Sequence, residues 1–305
     1  MNWKETLQHE YADKLRLEWN VPLAKYTTFH IGGLAECLIS ARSSKEVQLV
    51  LQFCHKYQVE LHILGNGSNL LVDDRGIRGI VLYIGRRMQE ITVNGTQIVA
   101  DAGARMALVA RAAAEAGLTG LEFSFGIPGT IGGGVIMNAG AYGGELSQVV
   151  TKVEAFDAEG NFHVLEGDAL CFGYRKSTLK THGYIVTKVY LECKPGDKEA
   201  IQQLMADLGA QRRGKQPLEY PSAGSTFKRP EGYFAGQLID QAGLKGYTVG
   251  GAQVSEKHAG FIINKGGATS RDVRTLIGYI KTAVSEKFGV ELEPEYVIWD
   301  YDSRA

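Results

Sequence analysis

The stretch Gly126-Ile127-Pro128-Gly129-Thr130-Ile131-Gly132-Gly133-Gly134-Val135-Ile136-Met137-Asn138-Ala139-Gly140-Ala141-Tyr142-Gly143-Gly144 decides the fold. Eight of its nineteen residues are glycine, and Thr130 and Asn138 add compact hydrogen-bonding side chains. Backbone lacking Cβ atoms lies against a flat or phosphorylated ligand without steric cost. A flexible lid would carry few apolar anchors, whereas Ile127, Ile131, Val135 and Ile136 read as buried positions. Ordered backbone brought close to a ligand is the expectation.

Upstream, Ile63-Leu64-Gly65-Asn66-Gly67-Ser68-Asn69-Leu70-Leu71-Val72 has a short apolar strand feeding a Gly-x-Gly loop. Such a loop turns backbone N–H groups toward an anion, typically a phosphate. It lacks the dinucleotide fingerprint of a doubly wound sheet: Leu70 stands where glycine is needed, no helical run follows, and no acid sits about 20 residues on. No Lys-Ser/Thr pair closes it as in a P-loop. Alone, the motif reads equally well as a Gly/Asn turn between strands.

The remaining composition narrows the class. The chain has 305 residues, 33 Lys+Arg against 34 Asp+Glu, and a formal charge of −1. That length allows two or three domains at roughly 100–200 residues each. With 44% hydrophobic and 22% charged residues the chain is globular, which excludes bulk disorder. Balanced charge argues against a nucleic-acid or anionic-membrane partner. Glycine is the outlier: 38 of 305 residues, against a usual share of about 7%. The four cysteines (Cys37, Cys54, Cys171, Cys193) form no CxxC pair and are each expected to be small buried apolar residues. The seven histidines include no HExxH, so no metal site is expected. The opening Met1-Asn2-Trp3-Lys4-Glu5 is charged at once, and no apolar run approaches the roughly 20 residues of a membrane span. A reduced, cytoplasmic protein is expected.

Periodicity predicts a leading helix over about 4–19 and a second from Ser43-Ser44-Lys45-Glu46 to Tyr57, opened by a hydroxyl and an acid. Strands are expected at Leu61–Leu64 and Gly79–Ile84, and a hairpin at Ile91–Val93 and Gln97–Ala100, with positive φ at both Asn94 and Gly95. A helix over about 105–116 ends at Gly117. A second hairpin pairs Lys152–Phe156 with Phe162–Glu166, and Tyr184–Cys193 alternates as a strand. Lys194-Pro195-Gly196-Asp197 reads as a linker, followed by helices over 198–213 and 234–242, strands over 248–254 and 259–263, and a long amphipathic helix over 271–287. The class is α+β, with mixed strands and hairpins first and a smaller α/β unit from about 199 onward.

With Tyr26-Thr27-Thr28-Phe29-His30-Ile31-Gly32-Gly33 upstream, the two glycine segments resemble an FAD-binding domain of the vanillyl-alcohol-oxidase type. More narrowly, nearly the whole chain resembles the UDP-N-acetylenolpyruvoylglucosamine reductase family. The specific pieces are Gly126–Asn138, Phe172-Gly173-Tyr174-Arg175-Lys176-Ser177, Pro221-Ser222-Ala223-Gly224-Ser225-Thr226-Phe227-Lys228, and Pro294-Glu295. No extra tyrosine-bearing loop fits between Tyr190 and Ser225, which matches the family's shorter subclass. The resemblance implies a two-lobed FAD-binding domain over 1–198, divided near 75, and a substrate domain over 199–305 whose last segment, from about 290, returns toward the active site.

It also implies the chemistry. NADPH reduces non-covalently bound FAD, and hydride then passes to C3 of an enolpyruvyl ether on UDP-N-acetylglucosamine, with protonation at C2 giving UDP-N-acetylmuramate for peptidoglycan. The substrate's carboxylate must be polarised so that charge can accumulate, a need met by electrostatic stabilisation. By residue-by-residue matching, Arg175 supplies a planar cation for that carboxylate, Glu295 cooperates with it, and Ser225 donates the proton. A serine is a weak acid, so a cationic or strongly hydrogen-bonding setting is expected, with Lys228 and Arg229 as candidates by sequence proximity. Tyr174, Arg212, Lys215 and Lys228 are expected at the substrate, Lys215 toward its diphosphate. Flavin contacts are implied for Tyr26, Thr28, Leu64, Gly65, Asn66, Gly67, Ser68, Asn69, Gly103, Gly126, Ile127, Pro128, Gly129, Ile131, Gly132, Gly133, Asn138, Gly140 and Ile185.

Two departures from the family pattern stand out: Tyr296-Val297 follows Glu295 where Val-Arg is frequent, and Arg229 replaces a smaller amide. The role of His30 is open. A monomer or weak dimer acting on a small molecule is expected. Two other readings stay open on the sequence alone: another flavoenzyme on the same scaffold, such as a hydroxy-acid oxidase, and a non-catalytic sensor needing the loops and Lys215 but neither Ser225 nor Glu295.

Overall fold

Local signals set most elements. Ser43 accepts the Glu46 N–H at 3.3 Å and opens the helix Ser44–Tyr57, which ends where Gln58 turns left-handed at φ +52°. Val47, Val50, Leu51, Phe53 and Cys54 form its buried face. The hairpin Ile91–Asn94/Gln97–Asp101 forms as expected, with one correction: Asn94 pairs with Gln97, so the turn residues are Gly95 and Thr96. Gly95 takes φ +60° and Asn94 stays extended, as in a turn with glycine at its first central position. The second hairpin pairs Phe156 with Phe162 as read.

The structure, a computed structural model, describes residues 2–302; Met1 and the last three residues of the expected returning segment lie outside them. The chain divides into two compact units. The first comprises the chain up to Trp19, Cys37–Asn66 and Gly79–Arg212; the second comprises Asn20–Glu36, Gly67–Arg78 and the chain from Arg213 onward. The passage from one to the other falls inside the helix Lys198–Lys215.

In the first unit, Leu61–Leu64 runs parallel to Ile77–Tyr83, with Leu61 opposite Ile80. An antiparallel five-stranded sheet orders Phe162–Glu166, Val150–Phe156, Ile185–Glu192, Gln97–Asp101 and Ile91–Asn94. Val109, Ala113, Ile131, Val135, Val153 and Val189 lie in its core. In the second unit, Ser222–Ser225, Phe261–Asn264, Ala252–Val254 and Thr248–Val249 form an antiparallel sheet against the helix Ser270–Phe288. That helix opens on a capping box of Thr269 and Asp272. Val297–Trp299 joins Leu70–Val72 as a parallel pair.

Several expectations need correction. The leading helix stops at Tyr11 and the strand Leu17–Pro22 follows, with Trp19 donating back to Gln8 at 3.1 Å; the β-favouring Trp19 and Val21 override a loose helical period. The linker at Lys194–Asp197 is a structured edge: Lys194 pairs with Thr119, and the Gly196 N–H bonds Gly117 at 2.9 Å. Asp197 then accepts the Ala200 N–H at 2.7 Å, opening the next helix. The stretch 248–254 is two strands turning at Gly250-Gly251. Inside the dense glycine segment sits a short helix, Ile131–Ile136, capped by Thr130. Cys37, Cys54 and Cys193 are buried, while Cys171 is exposed in a left-handed turn.

Candidate active site

The two glycine segments meet. An added Cβ at Gly65 would come within 2.8 Å of Thr130 Oγ1, and one at Gly132 within 2.7 Å of Ala102 Cβ. Thr130 Oγ1 in turn accepts the Gly133 N–H at 3.3 Å. Ile131 and Gly132 donate to Ala104 and Ala102 at 2.7 and 3.0 Å, so the segment is laid along the turn that contains Gly103. Part of the glycine density therefore serves chain-on-chain packing. Gly133 stays exposed, leaving backbone surface that a ligand can approach. Leu64, Ile131 and Ile185 are buried apolar side chains of this unit.

Asn138 is buried and its amide is committed to protein. It donates to the Gly173 carbonyl at 3.2 Å and accepts the Ser147 N–H at 2.9 Å. Ser177 Oγ donates to the Ile136 carbonyl at 2.7 Å. These two ties bracket the tight turn Gly173–Lys176, whose ends bond each other at 3.0 and 3.1 Å. The turn displays Tyr174 and Arg175; Arg175 sits at φ +55°, an uncommon setting for a non-glycine residue. Its guanidinium lies 5.3 Å from the centre of the exposed Tyr174 ring. Tyr174 and Arg175, separate expectations from the sequence, thus share one hairpin tip.

Arg212 lies on the glycine segment: a Cβ at Gly126 would approach its Cδ to 2.9 Å. Its Nε is buried without a hydrogen-bond partner, and burial pulls the guanidinium below its ordinary pKa. A buried guanidinium N–H without a protein partner leaves hydrogen-bonding capacity unused.

In the second unit, Ser225 and Glu295 are brought side by side. Phe227 pairs with Pro294, and the Glu295 N–H bonds the Thr226 carbonyl at 2.8 Å. Ser225 is exposed and Glu295 half-buried. Below them Thr226 Oγ1 and Tyr296 Oη share a buried hydrogen bond of 2.9 Å, and Thr226 Oγ1 also accepts the Ile262 N–H at 3.0 Å. The Tyr296 departure thus has a local reason. It joins the serine strand to the glutamate segment, a role visible only once residues 70 positions apart are paired. Burial pushes the Tyr296 phenol up from its ordinary pKa.

Further candidates also lie in this unit. Thr28 Oγ1 donates to the Ser222 carbonyl at 2.7 Å, and the Ser222 N–H returns to Thr28 at 3.1 Å. The Thr28 N–H also bonds the Gly67 carbonyl at 3.2 Å. A Cβ at Gly67 would strike the Tyr26 carbonyl at 2.2 Å. Lys228 is ion-paired with Glu293, and Arg229 lies 4.0 Å over the Phe234 ring. Lys215 is exposed at the end of its helix. His30 takes φ +55° in a turn closed by its N–H to Thr27. Among the described residues no group of His, Cys, Asp and Glu could hold a metal, and no helix is long and apolar enough to cross a membrane.

Residues 35–166 match an FAD binding domain family, and residues 216–299 match the UDP-N-acetylenolpyruvoylglucosamine reductase C-terminal domain family. The chain is 48% identical over 283 residues to the UDP-N-acetylenolpyruvoylglucosamine reductase of Caldanaerobacter subterraneus subsp. tengcongensis, covering 93% of each. It is 45% identical to that of Clostridioides difficile, covering 92% of each. The crystal structure of the Thermus caldophilus reductase superimposes with a TM-score of 0.81 at 40% identity, covering 94% of this chain and all of that one.

Proposed function

The chain belongs to the UDP-N-acetylenolpyruvoylglucosamine reductase family, and we propose that Arg175, Ser225 and Glu295 carry its reaction. The enzyme reduces the enolpyruvyl ether of UDP-N-acetylglucosamine to UDP-N-acetylmuramate in peptidoglycan precursor synthesis, using FAD and NADPH. This near-complete match supports neither a hydroxy-acid oxidase nor a sensor without turnover.

FAD, when bound, would supply the hydride chemistry that links NADPH to C3 of the enolpyruvyl group. The glycine segments fit that cofactor, since missing Cβ atoms at Gly65 and Gly132 let them pack together while Gly133 stays open. Backbone around Gly65–Ser68 and Gly129–Gly133 would hold it. The unmet Arg212 Nε would take an anionic oxygen, and exposed Lys215 would face the substrate's diphosphate.

Arg175 would pair its planar fork with the substrate's carboxylate, stabilising charge as hydride arrives. Glu295 would cooperate in polarising that carboxylate. Ser225 would give its Oγ proton to C2. The observation that carries this assignment is the pairing of Phe227 with Pro294 and of Glu295 with Thr226, which puts the two residues next to each other. We place the enzyme in the cytoplasm, where its nucleotide substrates are.

Label transfer tests the assignment of the two carbons. With unlabelled NADPH in D2O, the product is expected to carry solvent deuterium at C2. Deuterium from labelled NADPH should appear at C3. NADPH-derived deuterium at C2 would contradict the assignment.

A further inference from the structure

We infer that Asn69 is a positioning residue for Glu295, an inference that rests on the catalytic assignment of Glu295. Asn69 closes the Gly65–Asn69 loop, where the family resemblance implies a flavin contact. Its side-chain amide N–H and its main-chain carbonyl are bonded to the C-terminal segment. Nδ2 donates to the Glu295 carbonyl at 3.1 Å, and the Asn69 carbonyl accepts the Val297 N–H at 2.9 Å. The Glu295 N–H is already committed to Thr226 at 2.8 Å.

Both main-chain polar groups of Glu295 are therefore fixed, from two different elements. Thr226 holds it from the serine strand, and Asn69 holds it from the loop. Val297–Trp299 continues this attachment as a parallel pair with Leu70–Val72, in the register Val297 opposite Leu70. Main-chain bonds maintain that pairing whatever side chain stands at position 69. The Asn69 amide adds a side-chain contact to the Glu295 carbonyl. A small displacement of a catalytic group costs far more rate than stability, because the reaction needs near-attack geometry. Asn69 thereby joins the end of the loop to the segment that carries Glu295.

Anaerobic stopped-flow on the holoenzyme separates positioning from cofactor binding. Asn69→Ala, and the isosteric Asn69→Asp in case alanine fails to fold, should keep flavin and be reduced by NADPH within about two-fold of wild type. Reoxidation by saturating enolpyruvyl substrate should slow at least about ten-fold, with substrate affinity changed less than about three-fold. Added to Glu295→Gln, Asn69→Ala should slow reoxidation no further, since both changes act through one group. Lost flavin or slowed NADPH reduction would make Asn69 a cofactor contact and overturn the inference. Multiplying effects in the double variant would overturn it too. If Glu295→Gln reoxidises normally, the catalytic assignment itself fails. If only Asn69→Ala does, the positioning role alone fails.

Discussion

Tyr296 Oη and Thr226 Oγ1 lie 2.9 Å apart inside the second unit, each one residue beyond a proposed catalytic residue. The bond makes Ser225 and Glu295 neighbours by tying the residues that follow them. Tyr296→Phe keeps the ring and its edge-on contact with Phe29 at 5.8 Å. Thr226 also keeps the Ile262 N–H. The expected cost is the bond to Thr226 and the longer one to the Gly224 carbonyl at 3.4 Å, together about 1–2 kcal/mol of stability by urea unfolding. Flavin reoxidation should slow several-fold while NADPH reduction is unchanged; equal slowing of both would argue against a local effect.

Asn138 relates to Arg175 as Tyr296 does to Glu295. Its φ of +42° tolerates glycine better than alanine. Asn138→Ala and Asn138→Gly both remove the bonds to Gly173 and Ser147. Both should lose about 1–3 kcal/mol from the unsatisfied buried groups, with alanine the worse for its added strain. Reoxidation should suffer in both, because the hairpin carrying Arg175 loses its bracket. Stopped-flow and urea titration check this together.

The contact between glycine segments can be tested by rescue. Gly65→Ala pushes a Cβ to 2.8 Å from Thr130 Oγ1 and should lower the flavin content of the purified protein. Thr130→Ala removes that oxygen at a cost of about 1 kcal/mol for the lost cap. The double variant should recover flavin relative to Gly65→Ala. No recovery in the absorbance ratio would place the clash elsewhere.

Acid should loosen the attachment of the C-terminal strand. The Arg75 side chain bonds Asp73 and holds its carboxyl at about 2. The Asp73 N–H meets the Trp299 carbonyl at 2.9 Å, and Tyr301 lies 4.9 and 4.5 Å from the guanidinium carbons of Arg75 and Arg78. Because the folded value lies below an unfolded value of about 3.9, the stabilisation is full above that pH and fades as pH falls through about 2. The stability gap between wild type and Arg75→Ala should therefore be constant from neutral pH to about 5 and close near pH 2. Urea unfolding followed by Trp299 fluorescence measures it.

Much of this was legible in the sequence, and the exceptions share a cause. Hairpins, the capped helix after Ser43 and the long helix after Thr269 follow from turn and capping chemistry within a few residues. The glycine segments marked close approach correctly, but not its partner: Gly65 meets Thr130, and Gly132 meets Ala102. The side chains of Asn69, Asn138 and Thr28 look like ligand donors in sequence, yet each bonds distant backbone at Glu295, Gly173 or Ser222. Pairing across 35 to 226 positions leaves no local periodicity to read. Lys194–Asp197 misled for the related reason that glycine and proline mark a structured edge as readily as a linker.

The most direct measurement is reoxidation of the NADPH-reduced flavin by the enolpyruvyl UDP-sugar in Ser225→Ala, followed anaerobically by absorbance. Bleaching by NADPH at the wild-type rate, then recovery slowed by about a hundred-fold or more, is expected if Ser225 supplies the C2 proton. Recovery within about two-fold of wild type would contradict that role.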